Sequence, residues 1–79
     1  MKKNKYSDFS VDERVVLART AESADTLKEL ANDKEPRVRK AVAFNLATPY
    51  YTLKKLYKDQ NNEVSQAAEF TSQFLLWNF

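Results

Sequence analysis

The 79-residue chain contains no glycine, no cysteine, no histidine and only two prolines. Glycine is the default residue for positive φ, so without it tight hairpin turns become scarce and a hairpin-rich β fold improbable. Helices joined by short polar loops are the expected alternative. The lack of cysteine excludes disulfides, thiolate nucleophiles and iron–sulfur ligation. The lack of histidine removes the commonest metal ligand and the commonest general base. No run approaches the roughly 18 apolar residues of a membrane helix. The opening MKKNKYSDFS is basic but has no apolar stretch behind it, unlike a secretory signal. A cytoplasmic protein that does not enter membranes is the expectation. The net charge of +2 is small for a nucleic-acid binder, and Lys2, Lys3 and Lys5 more than account for it.

Internal repetition is the chief positive signal. ERVVLARTAESADTLKELAND (13–33) is echoed by VRKAVAFNLATPYYTLKKLYKD (38–59). Leu27, Leu30 and Asp33 recur 26 residues later as Leu53, Leu56 and Asp59, and Leu17, Ala18 and Thr20 recur 25 residues later as Val42, Ala43 and Asn45. A third copy begins where Val38, Ala41 and Phe44 become Val64, Ala67 and Phe70. Such a period marks stacked units that bury their apolar faces against one another. The predicted fold is all-α, a short right-handed helical-repeat solenoid of about five helices, or two and a half helical hairpins. A polar N-terminal segment (1–9) precedes a single repeat domain (10–79).

Local signals place the helices. Ser10 and Glu13 form a capping box opening a helix over 11–19. Ser23 caps a second helix carrying Leu27, Leu30 and Ala31. Pro36 suits the first turn of a third, which is expected to bury Val38, Ala41, Val42 and either Phe44 or Leu46. Thr48-Pro49 reads as a capping hydroxyl and first-turn proline for a fourth helix, whose inner set is Leu53, Leu56 and Tyr57. A fifth, from about Glu63 towards Leu76, carries the stripe Val64, Ala67, Ala68, Thr71, Phe74 and Leu75. Alanines at 18, 41, 43, 67 and 68 mark close approaches between helices.

The phrase VRKAVAFNLATP…LKKLYKD resembles the leucine-rich repeat variant family, a HEAT-like helical repeat. Val38, Arg39, Ala41, Val42, Ala43, Asn45, Thr48, Pro49, Leu53, Leu56 and Asp59 carry the match, and LKELAND (27–33) repeats its second half. Leu46 replaces a usual proline, and Ser23-Ala24 stands for Thr-Pro in the first copy. The resemblance implies a binding scaffold and transfers no catalytic residue.

Three constellations are candidates for function. Tyr50 and Tyr51 at the start of the fourth helix, and Leu76, Trp77 and Phe79 in the closing FLLWNF, are the candidate protein-binding residues. Aromatic anchors dominate such contacts, and repeat arrays ordinarily end on a polar face. The C-terminal aromatics either fold back to plug the stack or meet a partner, which could be a second copy of the chain. Arg37, Arg39, Lys40, Lys54, Lys55 and Lys58 form basic clusters on neighbouring helices. They are candidates for nucleic-acid backbone contacts if they share a face; otherwise they are solvated, with Arg39 paired to Asp59 or Glu35. Tyr57 is expected to pack between repeats. No carboxylate pair is accompanied by a base, metal-ligand spacing or a glycine-rich loop. The expected function is therefore a non-enzymatic interaction module with a protein partner, with no cofactor and no small-molecule substrate.

Overall fold

The Ser10–Glu13 capping box is closed in both directions. The Glu13 amide donates to Ser10 Oγ at 3.1 Å, and the Ser10 amide donates to Glu13 Oε1 at 2.8 Å. In the computed structural model, which describes residues 5–77, this box starts α1 (Val11–Thr20). It is followed by α2 (Ala24–Leu30), α3 (Pro36–Phe44), α4 (Tyr50–Tyr57) and α5 (Asn62–Trp77), with no strand among the described residues. The Thr26 amide donates to the Ser23 hydroxyl at the head of α2, and Pro36 occupies the first turn of α3. Asn61 caps α5, its Oδ1 accepting from the Glu63 and Val64 amides. The second helix of each unit is α-helical. No described residue has positive φ, and α1 and α3 end by turning extended at Ala21 and Asn45. A chain without glycine thus leaves its helices without the left-handed cap that many proteins use.

The helices stack as a repeat solenoid. Central α3 packs against α1 on one side and α5 on the other, α2 is seated on α1 and α3, and α4 on α3 and α5. Leu27, Leu30, Val38, Val42, Leu53, Leu56 and Val64 are almost completely buried between them. Each contributes on the order of 1.5–3 kcal/mol of transfer free energy. Ala18, Ala41, Ala43, Ala67 and Ala68 are all buried, as close helix crossings require. Residues 5–9 also join the packing. Tyr6 lies against the core, its ring meets Phe9 edge-on at 6.0 Å, and its hydroxyl shares a hydrogen bond with Thr26.

Several expected positions are corrected. Phe44 and Leu46 are not the inner residues of α3, being 47% and 55% exposed. Ala43 takes the buried place, because the helix meets α1 and α5 too closely to admit a ring. Tyr57 does not pack between repeats and is 50% exposed, while Thr52 supplies the third inward position of α4. Thr48 does not cap α4. Its hydroxyl turns back to donate to the Val42 carbonyl at 2.7 Å, satisfying the end of α3, and Pro49 stands at the cap position with no side-chain bond.

Asn45 stitches the first two units. Its amide donates to the carbonyls of Ala18 and Ala21, both at 2.8 Å, and its Oδ1 accepts from the Ala47 amide. Three polar atoms released by the ends of α1 and α3 are thereby satisfied by one side chain. Thr52 is the opposite case, since its buried hydroxyl oxygen has no hydrogen-bond partner among the described residues. An orphaned buried hydroxyl is a cost that an isosteric methyl removes. Thr52→Val is therefore expected to raise stability by about 1 kcal/mol, read from the midpoint of urea unfolding.

Candidate functional site

The first two repeats are each locked by an arginine–aspartate pair. Arg14 Nε donates to Asp33 Oδ2 at 2.8 Å and its Nη2 reaches Oδ1 at 3.4 Å. Arg39 holds Asp59 in the same side-on fork, at 2.8 and 3.2 Å. The remaining nitrogen of each guanidinium binds the start of its own unit, Arg14 Nη1 donating to the Phe9 carbonyl and Arg39 Nη1 to the Asp33 carbonyl. Each aspartate also accepts from the amide two residues on, Glu35 for Asp33 and Asn61 for Asp59. Asp33 thus serves Arg14 with its side chain and Arg39 with its backbone, so the two pairs form one continuous chain. The third unit has Ser65 at the arginine position, donating to the Tyr57 carbonyl at 2.8 Å. Arg39 pairs with Asp59 and not with Glu35, whereas the buried role of Arg14 had no motif to announce it. Its clue is the 25-residue step to Arg39.

Burial alone would push the Asp59 carboxyl up. The hydrogen bonds from Arg39 and the Asn61 amide, with the charges of Arg39 and Lys55, outweigh it and hold Asp59 below the usual carboxylate range. Exposed pairs cross the repeats as well, Arg37 to Asp12 at 2.9 Å and Lys40 to Glu63 at 2.8 Å. The hydrogen bond and charge of Lys40 likewise lower Glu63.

The six basic candidates therefore do not line one groove. Arg37 and Lys40 border a depression of about 270 Å³ between α1 and α3, floored by Val15, Ala41 and Phe44 and joined by Arg19. Arg39, Lys55 and Lys58 border a separate crevice of about 750 Å³ at the turns that follow α2 and α4. Lys54 borders neither. Arg39 is nearly buried in its ion pair, with 14% of its side chain exposed.

The protein-binding candidates divide differently. Tyr50 and Tyr51 are exposed on the first turn of α4. Leu76 and Trp77 are 73% and 85% exposed on the last turn of α5, so neither plugs the stack, and Phe79 lies outside the described residues. Of the expected inner residues Phe74 and Leu75, Leu75 packs against the core, whereas Phe74 is 41% exposed. Sequence reasoning missed Phe70. It is 61% exposed and meets the half-exposed Phe44 edge-on at 6.2 Å. These two phenylalanines are 26-residue repeat equivalents, so the periodicity marked them as a pair but did not say that they lie outside. Phe70, Phe74 and Trp77 fall at i, i+4 and i+7, one stripe of α5 continued onto α3 by Phe44.

Residues 25–48, spanning α2, α3 and their connection, match the HEAT repeat family model. No curated protein and no solved structure matches the chain. HEAT repeats generally mediate protein–protein interaction. No described helix is long and apolar enough to cross a membrane.

The Arg39–Asp59 pair makes a pH-dependent contribution whose sign follows from the lowered Asp59 carboxyl. Its stabilisation is fully present above the ordinary carboxylate value, about 4, and is lost as pH falls through the lower folded-state value. Asp59→Asn leaves a nearly buried guanidinium uncompensated and is expected to cost about 3 kcal/mol at neutral pH. That deficit narrows in urea titrations run progressively below about pH 4. Asp12→Asn, which breaks an exposed pair, is expected to cost less than about 1 kcal/mol under the same conditions.

Proposed function

We infer that this chain is a non-enzymatic protein-binding module of the helical-repeat type, acting in the cytoplasm. Its contact surface is the C-terminal half of α5 together with Phe44. One observation carries this reading. From Phe70 to Trp77 the helix bears no charged residue, yet Phe70, Leu76 and Trp77 are 61%, 73% and 85% exposed. Isolated apolar side chains on a surface need no explanation, but a contiguous aromatic stripe is the composition of an interface core. Trp77, the largest and most exposed of them, is the natural anchor. Tyr50 and Tyr51 extend the set as rim contacts on α4, and Phe79 belongs with Trp77 in this reading. The repeat phrase in α3 and α4 supports the leucine-rich repeat variant pattern as the finer type.

The occupant is a protein segment with its own apolar face. A second copy qualifies, because a surface without charge imposes no like-charge penalty on self-pairing. Light scattering across a concentration series separates that case from a different partner. Affinity capture from a bacterial lysate, with and without nuclease, tests the surface itself. The expected outcome is a protein, or the chain's own dimer, that survives nuclease and is lost with Trp77→Ala or Phe70→Ala. A hot-spot residue of this kind costs about 2 kcal/mol or more, roughly thirtyfold in affinity. Identical oligomeric state and identical captured proteins for both variants would sink the assignment.

A further inference from the structure

The crevice at the turns after α2 and α4 is uncommonly charged for a domain of net charge +2. Its floor includes Asp33 and Asp59, but each is neutralised by its own arginine, Arg14 and Arg39. Around that neutral floor stand Lys34, Lys55 and Lys58, all exposed, none with an ion-pair partner among the described residues. Lys55 alone is engaged, on the Asn32 side-chain oxygen, a neutral acceptor. The Gln60 side chain adds an amide to the rim. Three lysines that form no ion pair among the described residues therefore border one depression of about 750 Å³, with Lys55 near enough to Asp59 to act on its carboxyl.

Repeat equivalence explains how the crevice arises. Asn32 and Lys58 are 26 residues apart, as are Lys34 and Gln60, so the rim is built from the same turn of two successive units. The arginine–aspartate chain fixes both turns and sets the distance between them. The lysines themselves are flexible, but their backbone positions are not.

We propose that this crevice binds a compact polyanion carrying adjacent phosphate groups, held by Lys34, Lys55 and Lys58. Strongly hydrated point charges on flexible stems suit phosphate oxygens without demanding a fixed fork geometry. Convergence on one depression favours a compact ligand over a polymer backbone, whose phosphates need cations set out along a line. The site is separate from the α5 stripe, so its test stands apart from that of the protein-binding surface.

Inorganic triphosphate is the probe, titrated into the full chain by calorimetry at about 50 and 150 mM salt. The expected result is one binding site that weakens with salt, with orthophosphate at least about tenfold weaker because one group cannot span the lysines. Lys55→Gln/Lys58→Gln is expected to reduce triphosphate affinity at least about tenfold. Lys28→Gln/Lys54→Gln removes the same charge from exposed positions on α2 and α4 outside the crevice, and should leave affinity within about twofold. Thermal unfolding of all three proteins confirms that the variants remain folded. No triphosphate binding at the lower salt, or equal losses in the two double variants, would overturn the proposal. So would an oligothymidylate that binds more tightly than triphosphate and depends on Lys54, which would assign the lysines to a nucleic-acid backbone.

Discussion

The stack depends on a guanidinium held side-on by a carboxylate, present in each of the first two units. Arg14 and Arg39 each bridge the start of a unit to its end, and Asp33 belongs to both bridges. Buried ion pairs are poor sources of net stability, because desolvation consumes much of the Coulomb gain. Their value here is geometric. A turn without glycine has no left-handed residue to fix its path, and at both turns the aspartate supplies that path by accepting from the arginine and from the amide two residues on. The apolar core sets how closely α1, α3 and α5 approach, while the ion pairs set where the connecting chain runs between them.

With the core drawn so tightly around alanine, bulk is forced outward. Phe44, Leu46, Tyr57, Phe70 and Trp77 sit on the surface because the interior has no room for them. In a small domain such residues are a solubility liability unless something covers them. Aromatic side chains thus gather on the α3–α5 side, while three lysines with no ion pair among the described residues gather around the turns after α2 and α4. The two surfaces differ in chemistry and arise from different parts of the repeat, helix bodies for one and connections for the other.

Helix starts were readable because their signals are local. Ser10, Ser23 and Pro36 act within one turn of themselves, and all three stand where expected. The 26-residue step between Leu27, Leu30 and their equivalents likewise translated directly into stacking. What escaped depends on how close neighbouring helices come. Phe44 and Tyr57 lie on apolar-looking faces of their helices, and only the spacing to the next unit decides whether a ring fits. Thr48 was misread for a related reason. Its hydroxyl had a local use ahead of it in α4 and an acceptor behind it, the Val42 carbonyl, which takes it as a second donor beside the Asn45 amide. The aromatic stripe was half legible, since Trp77 announced itself at the end of the chain while Phe70 was concealed by its core-like register. Lys34, single and in a loop, gave no sign of joining Lys55 and Lys58.

The central position of α3 has a consequence for how the molecule opens. A helix flanked on both sides keeps one neighbour when the other departs, whereas α1 and α5 each lean on the array from one direction. In a linear array of this kind, protection grades from the ends towards the middle. Amides of Val42 and Ala43 then exchange with solvent last, and the final turns of α5 first. The stripe offered for binding therefore lies on the segment that opens most cheaply. A partner that clasps it gains an element already free to adjust its last turns, and in closing on it steadies the whole stack.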